Sequence, residues 1–171
     1  MRVITMSNLL IRLVELGPLR VAYTHVFSKT PEQDAWNKLK AWAVSKGFLD
    51  NPAEHFNFGY NNPPPPDPSA PSGAYGYEVL ITVGSEVEAE GEVKIKQIPG
   101  GLYAVARCKG TDNIYRTWSY LFHEWLKTNG RYELDEENEP GLEEHLNPSE
   151  ERPERWIFDL YLPARPIVRP P

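Results

Sequence analysis

A single cysteine, Cys108, stands in 171 residues, so no internal disulfide forms and nothing in the thiol content argues for secretion. Blocks of one positive sign are missing as well. The 18 basic residues are outnumbered by 24 acidic ones, for a net charge of −6, and none of them forms a phosphate-binding stripe. Direct nucleic-acid binding is therefore not expected. No stretch nears the roughly 18 apolar residues of a membrane span. At the N-terminus, Thr5, Ser7, Asn8 and Arg12 interrupt any signal-peptide core, and the chain reads as cytoplasmic with no membrane partner. The four histidines, His25, His55, His123 and His145, lack metal-ligand spacing. There is no HExxH, CxxC, glycine-rich phosphate loop or nucleophile elbow. Neither a metal nor a cofactor is expected, and Cys108, with no histidine partner nearby in sequence, reads as a small packing residue.

What is present is aromatic. Five Trp and nine Tyr fall in a chain that is 40% apolar, enough for one domain with a real core. Thr30-Pro31-Glu32-Gln33 has the pattern of a capping box, with proline in the first helical position. Ala35, Trp36, Leu39, Trp42 and Ala43 then recur at helical spacing up to Gly47. A second helix is expected from about Asp112, with Ile114, Trp118, Leu121, Phe122 and Trp125 on one side and Gly130 as its stop. Each helix has one apolar side and should cover one face of a sheet.

The surroundings of the two helices correspond. Gly17-Pro18-Leu19-Arg20-Val21-Ala22 precedes the first, and Gly100-Gly101-Leu102-Tyr103-Ala104-Val105 the second. Trp36 and Leu39 match Trp118 and Leu121, Gly47 matches Gly130, Asn62-Pro63 matches Asn147-Pro148, and Tyr77-Glu78-Val79 matches Phe158-Asp159-Leu160. The offset stays between 81 and 85 residues. An ordered series of this kind argues for internal duplication, with repeat 1 over about 8–84, a linker over about 85–91 and repeat 2 over about 92–165. Each half reads strand, strand, helix, strand, strand, with strands expected at 9–16, 19–27, 55–60 and 77–83, then 92–98, 102–109, 142–146 and 156–162. The fold class is α+β. Proline-rich residues 63–71 form a loop, expected to cover the binding groove, and Glu86, Glu88, Glu90 and Glu92 a solvated linker.

Four segments in this order resemble the GyrI-like small-molecule-binding domains: Pro99-Gly100-Gly101-Leu102-Tyr103-Ala104-Val105, Trp118 through Gly130, Leu142-Glu143-Glu144-His145-Leu146-Asn147-Pro148, and Asp159-Leu160-Tyr161-Leu162-Pro163. The resemblance covers about residues 8–165. It implies two strand-helix-strand-strand modules about a pseudo-twofold axis, with a ligand groove between them. It also implies that Glu143 is the acidic centre of a pocket for aromatic, often lipophilic and cationic, small molecules. His145 departs from the tyrosine usual in the family.

Strand alternation divides the candidates. If the face opposite the helices is open, it is the binding face. Glu143 and His145 should project there, with Tyr103 and Arg107 from one strand, Asp159 and Tyr161 from another, and Phe58 and Tyr60 from the first repeat. Leu142, Glu144 and Leu146 should face the helices, Glu144 near an edge in reach of water. Trp118 is a further ligand candidate from the second helix. Carboxylate among aromatics suits a cation, each ring contact being worth about 0.5–2 kcal/mol. Two other readings stand beside ligand binding. In the first, some relatives open cyclopropanoid DNA-alkylating compounds, which implies Glu143 as general base and Tyr103 or Tyr161 as the group orienting water or substrate. In the second, relatives that inhibit gyrase imply a protein-binding module.

Overall fold

The computed structural model of the chain describes residues 9–138 and 140–170. The N-terminal residues read against a signal peptide lie largely outside them. The elements run β1 (Ile11–Leu16), β2 (Leu19–Ser28), α1 (Pro31–Ser45), β3 (Asn57–Asn61), β4 (Tyr75–Thr82), β5 (Lys94–Ile98), β6 (Gly101–Lys109), α2 (Ile114–Tyr120), a π-helical segment (Leu121–Trp125), α3 (Leu126–Thr128), β7 (Tyr132–Leu134), β8 (Leu142–His145) and β9 (Ile157–Pro166). The eight expected strands all form, with ends shifted by a few residues; β7, too short to show alternation, was not anticipated. Pro31 opens α1, and Gly47 at φ 74° follows its end, a left-handed position where a Cβ is costly. The capping box does not close. Thr30 makes no side-chain cap bond, and its hydroxyl donates instead to Asp34 (3.3 Å), which also takes the Ser28 hydroxyl, while Gln33 turns to Asn37.

The strands pair antiparallel in the order β1-β6-β9-β8-β3-β4-β2-β5, with β7 added on β9. Both helices lie on one face. α1 packs on Ala22, Tyr77, Val79 and Ile81, and the second helix packs on Ala104, Ala106, Leu160 and Leu162. Alanines at Ala22, Ala104 and Ala106, all fully buried, let the helices approach closely.

The opposite face was expected to be open. It is closed. Val21, Phe58, Tyr60, Leu80, Tyr103, Val105, Leu142 and Tyr161 form one buried cluster, joined by Val14 and Leu16 of β1 and Ile98 of β5. β1 and β5 are the two ends of the strand order. In a flat sheet they would stand roughly 30 Å apart at about 4.8 Å per strand, so shared packing requires the sheet to curl on itself. Two short turns fasten the curl. Gly17-Pro18 joins β1 to β2 and Pro99-Gly100 joins β5 to β6, each carrying the chain from one end of the sheet to the other. The turns touch: a Cβ on Gly100 would lie 2.7 Å from the carbonyl carbon of Gly17.

The closed face buries three carboxylates, and each has a partner. Glu78 accepts from Lys96 and from the Tyr60 hydroxyl, with Asn62 at 3.2 Å. Lys96 also stands 4.2 Å over the Tyr23 ring. Asp159 accepts from Arg12 (2.7 Å) and from Arg107 (2.9 and 3.0 Å). Glu144, buried here and not at an edge near the helices, accepts from the Tyr161 hydroxyl at 2.6 Å. The acidic run is also more than a solvated linker, since Glu90 binds Lys46 and Trp42 and Glu92 binds Lys38, fixing the segment to α1.

Burial alone would raise the Asp159 pKa, but the bonds from Arg107 and Arg12 outweigh it and hold the carboxyl below its usual range. Its contribution to stability is therefore present above the unfolded-state value of about 3.9 and lost as pH falls through the lower folded value. Asp159→Asn is expected to cost about 1–2 kcal/mol at pH 7, reduced by the half-exposed guanidiniums. In thermal melts across pH, the gap from wild type should close below about pH 4; a gap independent of pH would contradict the ion-pair account.

Candidate functional site

β3 and β8 pair at the middle of the sheet, with Phe58 opposite Glu144 and Gly59 opposite Glu143. Alternation then places Gly59 and Glu143 on the helix face. Phe58, Glu144 and Leu142 point to the closed face. Glu143 is met there by one aromatic donor from each half of the chain. The Trp118 indole N–H donates to Oε1 at 2.9 Å, and the Tyr77 hydroxyl donates to Oε2 at 2.9 Å.

Two glycines make room for these donors. A Cβ on Gly59 would sit 2.7 Å from Cε1 and Cζ of the Tyr77 ring, and one on Gly141 would sit 2.7 Å from Cη2 of Trp118. Neither glycine has a positive φ, so the requirement is for space and not for backbone conformation. Trp118 ends the turn that leads into the π-helical segment, a distortion that often accompanies functional sites.

A cavity of about 360 Å³ opens above this pair of strands. Trp36, Tyr75, Tyr77, Val79, Ile114, Trp156 and Phe158 supply most of its wall, with Asn57, Glu143 and His145 on the sheet and Glu32 at the start of α1. The Tyr75 hydroxyl donates to Glu32 at 2.6 Å. Lys29 is a basic group on the lining, exposed to solvent. His145 stacks on Phe158 (ring centroids 4.8 Å apart) and lies against Trp156 (5.0 Å). Burial lowers its pKa to about 4, opposed by a hydrogen bond to the Asn147 side chain, so the ring is neutral at physiological pH.

Glu143 differs from Glu78 and Asp159, which form ion pairs, and from Glu144, which has no ion pair but lies near the charges of Arg12 and Arg107. Among the described residues Glu143 has no cationic partner within ion-pair distance. Burial raises its carboxyl above the usual range; the bonds from Trp118 and Tyr77 oppose that, and the charge of Glu32 adds to it. Burial, the Glu143 charge and their hydrogen bond push the Tyr77 hydroxyl far above its ordinary value, so it remains a donor. The result is a held but unneutralised carboxylate at the floor of an aromatic cavity.

Known proteins agree with this architecture. The model of the GyrI-like small molecule binding domain matches residues 11–165. The chain belongs to the GyrI-like family. No curated protein matches it. Solved structures share the fold at low identity. The C-terminal domain of EcmrR is 16% identical with a TM-score of 0.66, covering 93% of this chain and 99% of that one. In a complex of EcmrR with DNA, the chain spans 58% of the EcmrR chain. A hydrolase encoded by lin2189 from Listeria innocua is 11% identical, with a TM-score of 0.61 and 91% of each chain covered. SAV2435 bound to tetraphenylphosphonium is 11% identical, with a TM-score of 0.50, covering 91% of this chain and 93% of that one.

Within this GyrI-like domain the expected site residues divide. Glu143, His145 and Trp118 come together on the helix face, Trp118 by binding Glu143 directly. Tyr103, Tyr161 and Tyr60 do not join them, being buried in the closed face at 2%, 7% and 9% exposure. Phe58 borders the cavity floor, but its ring packs edge-on against Tyr161 on the other side. Grouping Phe58 and Tyr60 with Glu143 and His145 is a slip of one residue along β3, and such a slip exchanges the faces of a strand. The residues that share the cavity with Glu143 include Trp36, read only from helical spacing, Tyr77, read only as a repeat match, and Tyr75, which fell in no expected element. Loop residues 62–74 do not line the cavity.

Because the folded pKa of Glu143 is raised, its charge disfavours the fold at neutral pH, and the penalty fades as pH falls toward the unfolded value of about 4.3. Glu143→Gln should therefore raise Tm at pH 7.5, with an advantage that shrinks below about pH 5. A Tm lowered by the substitution at pH 7.5 would mean that the carboxylate is neutralised within the protein.

Proposed function

We propose that this GyrI-like domain binds flat, lipophilic cations in the cavity between its helices, with Glu143 as the charge partner. The observation that carries the reading is a contrast among acids: Glu78 has Lys96, Asp159 has two arginines, Glu144 lies near the charge of those arginines, and the half-buried Glu143 has only neutral donors. Leaving a partly buried charge unpaired is costly unless a partner arrives, and Trp36, Tyr75 and Trp156 line the cavity with aromatic rings, which attract cations. The positions of Trp118 and Tyr77 preorganise the carboxylate, so little ordering is left for ligand binding to supply. SAV2435, with tetraphenylphosphonium bound, shares the fold.

The same arrangement supports a second reading, hydrolysis with Glu143 as general base. Its raised proton affinity moves it toward the range useful near neutral pH, and Tyr77 occupies the position that Tyr103 was expected to hold. The fold of the lin2189 hydrolase favours keeping this reading. Internal duplication is part of the proposal too. The strand order is supported by symmetric pairing: β1 on β6 answers β5 on β2, and Arg12 with Asp159 answers Lys96 with Glu78.

Fluorescence titration with ethidium tests the binding reading. Wild type should bind in the micromolar range, and Glu143→Gln should weaken binding at least tenfold, about 1.4 kcal/mol. Tyr103→Phe, on the closed face, should leave affinity within about twofold, roughly 0.4 kcal/mol. Equal binding to wild type and Glu143→Gln would remove Glu143 from the site.

A further inference from the structure

The cavity contains more unmet polar demand than the carboxylate alone. Among the described residues three buried side-chain polar atoms have no hydrogen-bond partner: Asn57 Oδ1, Asn61 Oδ1 and His145 Nε2. All three belong to β3 and β8, the strands that hold Glu143. Asn57 and His145 also line the cavity. Continuing the register of Phe58 with Glu144 by one residue sets Asn57 opposite His145, so the two orphaned atoms belong to neighbouring side chains on the helix face, next to the Gly59–Glu143 pair.

Their chemistry is the same. Asn57 is 4% exposed, and its amide nitrogen reaches the His55 carbonyl at 3.4 Å, which leaves Oδ1 as the idle acceptor. His145 is neutral, so one ring nitrogen carries a hydrogen and the other accepts. In the tautomer with the hydrogen on Nδ1, Nε2 is left as an acceptor. The strands that floor the cavity therefore carry three acceptors, Glu143 and, covered in the free protein, Asn57 Oδ1 and His145 Nε2. An orphaned buried acceptor is costly, and an amide or imidazole turns readily about its last torsion.

We infer that the ligand of this cavity carries N–H donors on its charged aromatic frame, as an aminoaryl cation or amidinium does, and that Asn57 and His145 select it over a fully alkylated cation of the same shape. The inference rests on the proposed cation-binding function and names the class of cation. A quaternary or dialkylated nitrogen can satisfy the charge of Glu143, but it leaves both acceptors empty. Sites whose buried polar groups are left unpaired by the wrong ligand discriminate strongly against it.

Proflavine and acridine orange form a matched pair of probes: both are acridinium cations, and the second has its amino hydrogens replaced by methyl groups. Titration of the whole chain by fluorescence should give at least tenfold tighter binding of proflavine. Asn57→Leu and His145→Phe, which keep shape and remove the acceptor, should each reduce that preference at least threefold by weakening proflavine while acridine orange changes little. In thermal melts without ligand, Asn57→Leu should equal or exceed wild type, since it removes an unpaired polar atom. Equal affinity for the two dyes overturns the inference and leaves cation binding standing. A preference that survives both substitutions also overturns it, because shape alone would then be the cause. Binding of neither dye overturns the cation-binding function together with the inference.

Discussion

The pairing of β3 with β8 is the constraint on which the rest depends. It joins β2, β3, β4 and β5 to β1, β6, β7, β8 and β9 through a short register, Phe58 with Glu144 and Gly59 with Glu143. At its centre one partner has no side chain and the other has a carboxylate. The glycine leaves a depression that the Tyr77 ring fills, and the ring brings its hydroxyl to the acid. Gly141 does the same for Trp118. A side chain at either glycine would push a donor away from Glu143. The site is thus specified as much by two missing Cβ atoms as by the acid itself.

Curling of the sheet assigns opposite roles to its two faces. On the closed side, aromatics, acids and cations satisfy one another, and Lys96 between Glu78, Tyr60 and Tyr23 forms a complete cation site with the protein's own cation. On the helix side the aromatics and the acid are present, and among the described residues no cation pairs with Glu143. Two chemically similar clusters therefore differ in one respect, and that difference separates structural packing from a candidate binding site. The helices do not seal the helix face, because α1 and the second helix stand over different strands and leave β3 and β8 between them.

Much of the fold was legible in the sequence. Strand alternation, helical spacing and glycine stops place eight strands and both helices to within a few residues, since each is a local property of the chain. Resemblance singled out Glu143, and strand alternation put His145 on the same face as Glu143. The face on which they meet was not legible. Alternation tells which residues share a face, but it says nothing of which face is covered by distant strands, and closure here comes from the contact of β1 and β6 at one end of the sheet with β2 and β5 at the other. The turns Gly17-Pro18 and Pro99-Gly100 carried a sign of that, each too short to do anything but tie neighbouring strand ends together. The alanines of β6 carried another, because small side chains at Ala104 and Ala106 mark where a helix approaches, leaving Tyr103 and Val105 to the other side. Matching Asn62-Pro63 with Asn147-Pro148 as an anchor placed β3 one residue out of step, enough to exchange its faces.

The central claim is that Glu143 is a half-buried acid without a cationic partner and that a ligand supplies one. Carbon-13 NMR of glutamate-labelled protein, with the Glu143 resonance assigned by Glu143→Gln, follows that carboxyl through a pH titration. The account predicts titration above the ordinary glutamate value of about 4.3 in the free protein, and a clear fall when the cavity is saturated with proflavine. A Glu143 carboxyl that titrates at the ordinary value when free, or whose titration saturating ligand leaves unmoved, would contradict it.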